Sequence, residues 1–322
     1  MKVLFIGLSG KEEPWLGDVV RALDGAHELA VFDHAGPLDV QFAGVRVVVD
    51  QGGWATRAMI DAGAAAGVEL WQVLGTGVDH TEVDHILAGG IQLANTPGPF
   101  SAVALAEHAL FLMLCLAKNL RAAERNLQAG IQNLPINDEL AGKVLGLVGL
   151  GASGRELARR ARAFAMDVIA VDVVEPSSDE LDALAVRWFG APTWLPDLLG
   201  ESDYVSLHVP LTPQTAGMIG AAELALMKPD ACLINVARGR LVDEEALVGA
   251  LRAGNLRGAG IDVFAIEPPD PAHSLLQLDN VIVTPHVAGV TTGTSRRRGA
   301  ACAENIGRVA DGLPPLYEIT TS

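Results

Sequence analysis

The chain has 322 residues, enough for two domains of ordinary size with real cores. Half of it is apolar, only 5% is aromatic, and the formal net charge is −16, a balance that argues against a nucleic-acid partner and against anionic membranes. Cys115, Cys232 and Cys302 lie far apart in apolar surroundings; they read as small core hydrophobes in a reducing, cytoplasmic setting and offer no metal-binding pair. The opening MKVLFIGLSGKEE has too short an apolar run for a secretory signal. The most apolar helical stretch, Ala109–Ala117, is bounded by Glu107, His108 and Lys118, too short a run for a membrane span.

Apolar, β-branched runs at Lys2–Gly7, His27–Phe32, Val45–Val49, Leu70–Leu74 and Ile91–Asn95 predict five strands, with helices at Trp15–Leu23 and Trp54–Ala65 between them. That alternation implies a parallel sheet with helices on its faces. Thr96-Pro97-Gly98-Pro99 breaks the pattern, and Ser101 then caps a long helix running toward Gln128. Its apolar residues cover more than one face, as in a buried helix or half of a subunit interface. Gly130–Gly142 reads as a loop.

The next stretch, Lys143–Asp172, is the most informative in the chain. A buried strand, Val144–Val148, runs into Gly149, Gly151 and Gly154 at G-x-G-x-x-G spacing; a helix, Arg155–Met166, and a second strand, Val168–Val171, follow and end at Asp172. With 35 glycines in the chain, about 0.4 such glycine matches arise by chance, so the strand, helix and terminal acid carry the inference. In a dinucleotide site Gly149 permits the sharp turn, Gly151 lets the pyrophosphate approach, and Gly154 lets helix and strand pack closely. The N–H groups of Ala152 and Ser153 face the phosphates, and Asp172 accepts from the ribose hydroxyls. An acid there, followed by Val173 and Val174, favours NAD over NADP.

The rhythm continues with strands at Ala185–Phe189, Tyr204–Leu207, Cys232–Val236, Leu256–Val263 and Val281–Thr284, and helices at Ala221–Met227, Asp243–Leu251 and Thr294–Val309. The fingerprint begins about 140 residues in, so a complete α/β domain precedes it and a cleft between two domains is expected. Arg238, Asp262, Glu267 and His286 all lie at or just beyond ends of the later strands. Reduction of a 2-oxo acid asks for such a set. A guanidinium holds the carboxylate and polarises the carbonyl, an imidazole protonates the oxygen, and a carboxylate favours and orients the imidazolium.

Seven stretches together resemble the D-isomer-specific 2-hydroxyacid dehydrogenase family: Gly75–His80, Ala106–His108, Glu139–Lys143 with Gly149–Gly154, Leu207–Thr212, Asn235–Gly239 with Val242–Glu244, Ile261–Phe264 with Glu267-Pro268, and Thr284–Gly289. The resemblance spans nearly the whole chain, with Arg238, Glu267 and His286 separated by 29 and 19 positions. It implies two Rossmann-like parallel-sheet domains around a cleft: a flavodoxin-like substrate domain, 1–99 plus 289–322, and an NAD-binding domain, 100–288. It also implies that Arg238 binds substrate, His286 is the acid/base, and Glu267 is its partner. The backbone of Gly75, Thr76 and Gly77 would receive the substrate carboxylate, and Asp262 would hold the nicotinamide carboxamide. Leu105, His208, Val209, Pro210, Thr215, Val236, Ala237, His286 and Ala288 would line the cofactor site. A homodimer through the cofactor domains is implied as well.

Departures narrow the substrate. Thr76 stands where phosphite-oxidising relatives carry Lys, and Glu267 where formate dehydrogenases have Gln. Asp50-Gln51 follows the third strand where phosphoglycerate relatives tend to have Arg-Ser. A small unphosphorylated 2-oxo acid such as glyoxylate or hydroxypyruvate is therefore expected. The alternatives are a phosphoglycerate dehydrogenase, disfavoured by the missing Arg, and a non-catalytic NAD-sensing, corepressor-like interaction protein, for which the chain has almost no tail.

Overall fold

The computed structural model describes residues 1–320. They form two compact units: Met1–Ser101 with the chain from Val290 onward, and Ala102–Gly289.

In the first unit, β1 (Lys2–Ile6), β2 (Glu28–Val31), β3 (Val45–Gln51), β4 (Leu70–Leu74) and β5 (Gln92–Ala94) form a parallel sheet in the order β2-β1-β3-β4-β5. A two-residue strand, Glu318–Ile319, pairs antiparallel with β5 and covers its edge. Successive side chains of β1 and β3 enter opposite cores. Val3, Phe5, Val47 and Val49 meet Trp15 and Val19 of helix Trp15–Leu23 and Cys302 and Ile306 of helix Thr292–Ala310. Leu4, Ile6 and Val48 meet Trp71, Ile60 and Ile86 on the other face. Each such side chain, once withdrawn from water, contributes about 1.5–3 kcal/mol.

In the second unit, β6 (Val144–Val148), β7 (Asp167–Val171), β8 (Val186–Gly190), β9 (Tyr204–Leu207), β10 (Cys232–Asn235), β11 (Gly258–Ile261) and β12 (Val281–Val283) are all parallel, in the order β8-β7-β6-β9-β10-β11-β12. The order reverses between β6 and β9, and in open α/β sheets ligands bind beyond the strand ends at that reversal. Helices Ala102–Ala117 and Ala152–Ala163 cover one face through Leu112, Met113, Leu157 and Ala161. Leu198, Leu224, Leu247 and Leu251 cover the other.

Three local expectations are corrected. The helix expected to run unbroken toward Gln128 is two helices, Ala102–Ala117 and Leu120–Gln128, bent by 50°. Asn119 adopts φ +47 at the break, and its side chain donates to Ile136 O and Asn137 Oδ1. The helix expected from Trp54 begins at Arg57, because Gly52 and Gly53 turn at φ +83 and +79 and the Thr56 hydroxyl caps Met59 N–H. The helix after the glycine cluster starts at Ala152, not Arg155, so the last glycine lies inside its first turn. Among the described residues no single helix is long and apolar enough to cross a membrane; only the bent pair reaches that length and composition.

Candidate active site

The cofactor side of the second unit is built at the reversal between β6 and β9. Gly149 leaves β6 at φ +100, where a Cβ would stand 2.8 Å from the carbonyl of His208, the first residue after β9. A Cβ on Gly154 would meet the Gly149 carbonyl at 2.2 Å, so both positions exclude a side chain. Around Gly151, by contrast, a Cβ would meet nothing within 4 Å, leaving room above the start of helix Ala152–Ala163. Asp172 lies at the end of β7, and its carboxylate accepts from Leu150 N–H (2.6 Å), Val173 N–H (2.6 Å) and Val174 N–H (3.2 Å). It therefore pins the glycine turn to the end of β7 while keeping lone pairs for further donors. Open space, a helix N-terminus and an acid at the second strand end fit an NAD dinucleotide.

His208 does not simply line this site. Its Nδ1 lies 3.0 Å from Ser153 Oγ and its Nε2 2.9 Å from Ser206 Oγ. Burial pushes its pKa down to about 4, so the ring is neutral, although it keeps some accessible surface. The Thr215 hydroxyl donates to Pro210 O (2.7 Å) and accepts from Thr212 N–H, closing the turn that carries Val209 and Pro210.

The reacting side gathers at the ends of β10, β11 and β12. Buried Asn235 ends β10; its side chain accepts from Ala237 N–H (3.1 Å) and donates to Arg238 O (2.8 Å), shaping the loop that presents Arg238. Val236 is buried, and Ala237 O accepts from Arg238 Nη1 (2.9 Å). Gly239 packs against the Phe264–Ala265 peptide, and the N–H groups of both residues are engaged by carboxylates. Phe264 N–H donates to Glu267 Oε1 (2.9 Å) and Ala265 N–H to Glu244 Oε1 (2.7 Å). The other Glu267 oxygen meets His286 Nδ1 at 2.6 Å. Burial opposes ionisation of Glu267, but the hydrogen bonds from His286 and Phe264 and the charge of Arg238 outweigh it and hold its pKa below the usual carboxylate range.

His286 has φ +54, an uncommon conformation for a side chain of its size. Asp262, fully buried at the end of β11, holds it there. Its carbonyl accepts His286 N–H (2.7 Å), Oδ1 accepts from Val287 N–H and Thr284 Oγ1 (2.9 and 2.6 Å), and Oδ2 accepts from Ala288 N–H (2.9 Å). The Asp262 carboxylate thus braces the turn that presents His286. Thr284 Oγ1 also lies 2.8 Å from His108 Nε2. Burial, opposed by Asp262, lowers the His108 pKa. The Ala106-Glu107-His108 and Val242–Glu244 stretches hinted at His108 and Glu244 without assigning either a role; Ser206 gave no signal in a single sequence.

Gly75, Thr76 and Gly77 belong to the first unit. Gly75 O accepts from both Thr96 N–H and Thr96 Oγ1, and Thr76 O accepts from Asn95 Nδ2. Thr76 Oγ1 donates to Thr96 O and accepts from Arg298 Nη2 (2.9 Å). With its carbonyls tied toward the end of β5, this loop can present N–H groups to an anion. Leu105 lies on helix Ala102–Ala117 of the second unit, 3.6 Å from where a Cβ on Gly289 would stand.

Comparison with known proteins agrees with this geometry. The family model for "D-isomer specific 2-hydroxyacid dehydrogenase, NAD binding domain" matches residues 110–288. The D-3-phosphoglycerate dehydrogenase of Archaeoglobus fulgidus is 37% identical over 253 residues, 78% of this chain and 47% of that protein, so the chain spans about half the length of that relative. The hydroxypyruvate reductase of Thermotoga maritima is 39% identical over 255 residues, 78% of this chain and 80% of that protein. The NAD-complexed D-isomer specific 2-hydroxyacid dehydrogenase from Lactobacillus delbrueckii ssp. bulgaricus superposes with a TM-score of 0.83 at 26% identity, covering 99% of this chain and all of that one. With more than half its length matched by the NAD-binding model, this chain belongs to the D-isomer specific 2-hydroxyacid dehydrogenase family.

Proposed function

We propose that the chain is an NAD-dependent oxidoreductase that interconverts a small, unphosphorylated 2-oxo acid and the corresponding D-2-hydroxy acid. The observation that carries this reading is His286, held in a left-handed turn by Asp262 and hydrogen-bonded through Nδ1 to Glu267 at 2.6 Å. A carboxylate on Nδ1 fixes the ring and leaves Nε2 as the working nitrogen. Bound NADH would supply the hydride to the substrate carbonyl carbon. His286 Nε2 gives its proton to the carbonyl oxygen as charge develops there, and in oxidation takes the hydroxyl proton back. Arg238 binds the substrate and polarises its carbonyl; Glu267 stabilises the imidazolium. The N–H groups of Gly75, Thr76 and Gly77 are assigned to the substrate carboxylate.

Asp50 supports an unphosphorylated substrate. It is buried, its carboxylate accepts from Trp71 Nε1 (3.0 Å), Trp54 N–H and Ala55 N–H, and burial raises its pKa. No cation stands at that position to meet a phosphate. A homodimer is supported by exposed Phe111, Leu120, Leu127, Ile131, Leu134 and Ile136, which follow one another along the two bent helices and the next loop. The three free, buried cysteines fit a cytoplasmic setting.

The test is NADH oxidation, followed by absorbance, with glyoxylate, hydroxypyruvate, pyruvate and 3-phosphohydroxypyruvate. Turnover of one of the first three is expected. Turnover of the phosphorylated acid alone would replace this reading with the phosphoglycerate one, and turnover of none would reject the enzyme.

A further inference from the structure

Ser153 is the fifth residue of the G-x-G-x-x-G stretch and lies in the first turn of helix Ala152–Ala163. Its hydroxyl meets His208 Nδ1 at 3.0 Å, and His208 Nε2 meets the hydroxyl of Ser206 on β9 at 2.9 Å. Ser206 is fully buried, and His208 is its side chain's sole hydrogen-bond partner among the described residues.

A neutral imidazole has one donor and one acceptor, so it is either Nδ1–H or Nε2–H. In the Nε2–H form the ring donates to Ser206 Oγ, whose own proton then has no acceptor in a place water does not reach. A buried donor left unmade is costly. In the Nδ1–H form every group is satisfied. Ser206 donates to Nε2, Nδ1–H donates to Ser153 Oγ, and the Ser153 proton is left free to point away from the ring.

We propose that His208 is a positioning residue that, held in one tautomer by Ser206, commits Ser153 to donate a hydrogen bond to the pyrophosphate of NAD. A serine in such a loop can otherwise turn a lone pair toward the phosphate, which repels it; the relay removes that orientation. His208 then acts on the cofactor through Ser153. The proposal rests on the NAD-binding reading of this site.

The tautomer is read directly by long-range 1H–15N correlation of the histidine ring in ¹⁵N-labelled protein, with His208→Asn used to assign the signals. The Nδ1–H form is expected, and the Nε2–H form overturns the proposal. Affinities for NADH and ADP-ribose, measured by calorimetry, give the second readout. Ser153→Ala should lose about tenfold for both ligands, the scale of a hydrogen bond to an anion. Ser206→Ala should lose about threefold, and adding it to Ser153→Ala should cost nothing more. Binding by Ser153→Ala within twofold of wild type, or additive losses in the double variant, overturns the relay. Absence of NADH binding by the wild-type protein overturns the NAD reading instead.

Discussion

Gly239 offers the sharpest test of how the reacting side is assembled. A Cβ there would stand 1.9 Å from the Phe264 carbonyl carbon, 2.2 Å from its oxygen and 2.4 Å from Ala265 N. Carbon–carbon contact needs about 3.5 Å, so the Phe264–Ala265 peptide must yield by about 1.5 Å in Gly239→Ala. That peptide cannot move alone, because its own N–H, on Ala265, holds Glu244, and the N–H of the adjoining Val263–Phe264 peptide holds Glu267, which in turn holds His286. Displacement by an ångström at a reacting centre costs about 10²-fold, and kcat should fall by that factor, about 2.7 kcal/mol. Overpacking should also lower stability by about 1–3 kcal/mol. Steady-state NADH oxidation and urea unfolding measure both. Gly249→Ala is the control: it lies within helix Glu244–Arg252 where a Cβ meets nothing within 4 Å, and the variant should be neutral or more stable by about 0.5–1 kcal/mol. If Gly239→Ala kept wild-type kcat and stability, the peptide would not be the support described.

His286→Ala should lose about 10²–10⁴-fold in kcat while the dissociation constant for NADH, followed by fluorescence, stays near wild type; turnover near normal would remove His286 from the acid/base role. Asp172→Ala should weaken NADH and reduce discrimination against NADPH, compared by kcat/KM with each cofactor; a wild-type enzyme that prefers NADPH would contradict the assignment. The Glu267 pKa is depressed in the folded chain, so its contribution to stability is present above the unfolded carboxylate value near 4.5 and is lost as pH falls through the folded one. Wild type should therefore exceed Glu267→Gln in urea stability at neutral pH, and the two should converge in acid; a constant gap would refute the linkage.

Most of the architecture was legible because parallel strands buried on both faces leave near-continuous apolar runs, as in Val45–Val49 and Val144–Val148. What was not legible lay where periodicity is silent. The apolar pattern carries on across Lys118 and Asn119, so the sequence offered no sign of the left-handed residue that bends the helix there. Glu318–Ile319 is too short to show alternation, and the helix Val83–Ala88, although Gly89-Gly90 closes it, is too short at six residues to show a helical period. Within the site, strand-end positions pointed to Arg238, Glu267 and His286. Their supports stayed hidden: an Asp in Ile261-Asp262-Val263 reads the same whether it faces a ligand or folds back to accept the N–H groups of Val287 and Ala288.

The first unit is discontinuous: it leaves off at Ser101 and resumes at Val290, with the whole second unit between. Helix Thr292–Ala310, which supplies Cys302 and Ile306 to the first core, must therefore return across that long insertion. For an unstructured insertion of that size, ring closure costs roughly 5 kcal/mol in chain entropy. The second unit is one unbroken segment, and its two ends come together in the fold, with Leu105 beside Gly289. Once it is folded, the loop the first unit must close is only a few residues long. Folding of the inserted unit therefore lowers the chain entropy that the interrupted unit must lose to complete its core.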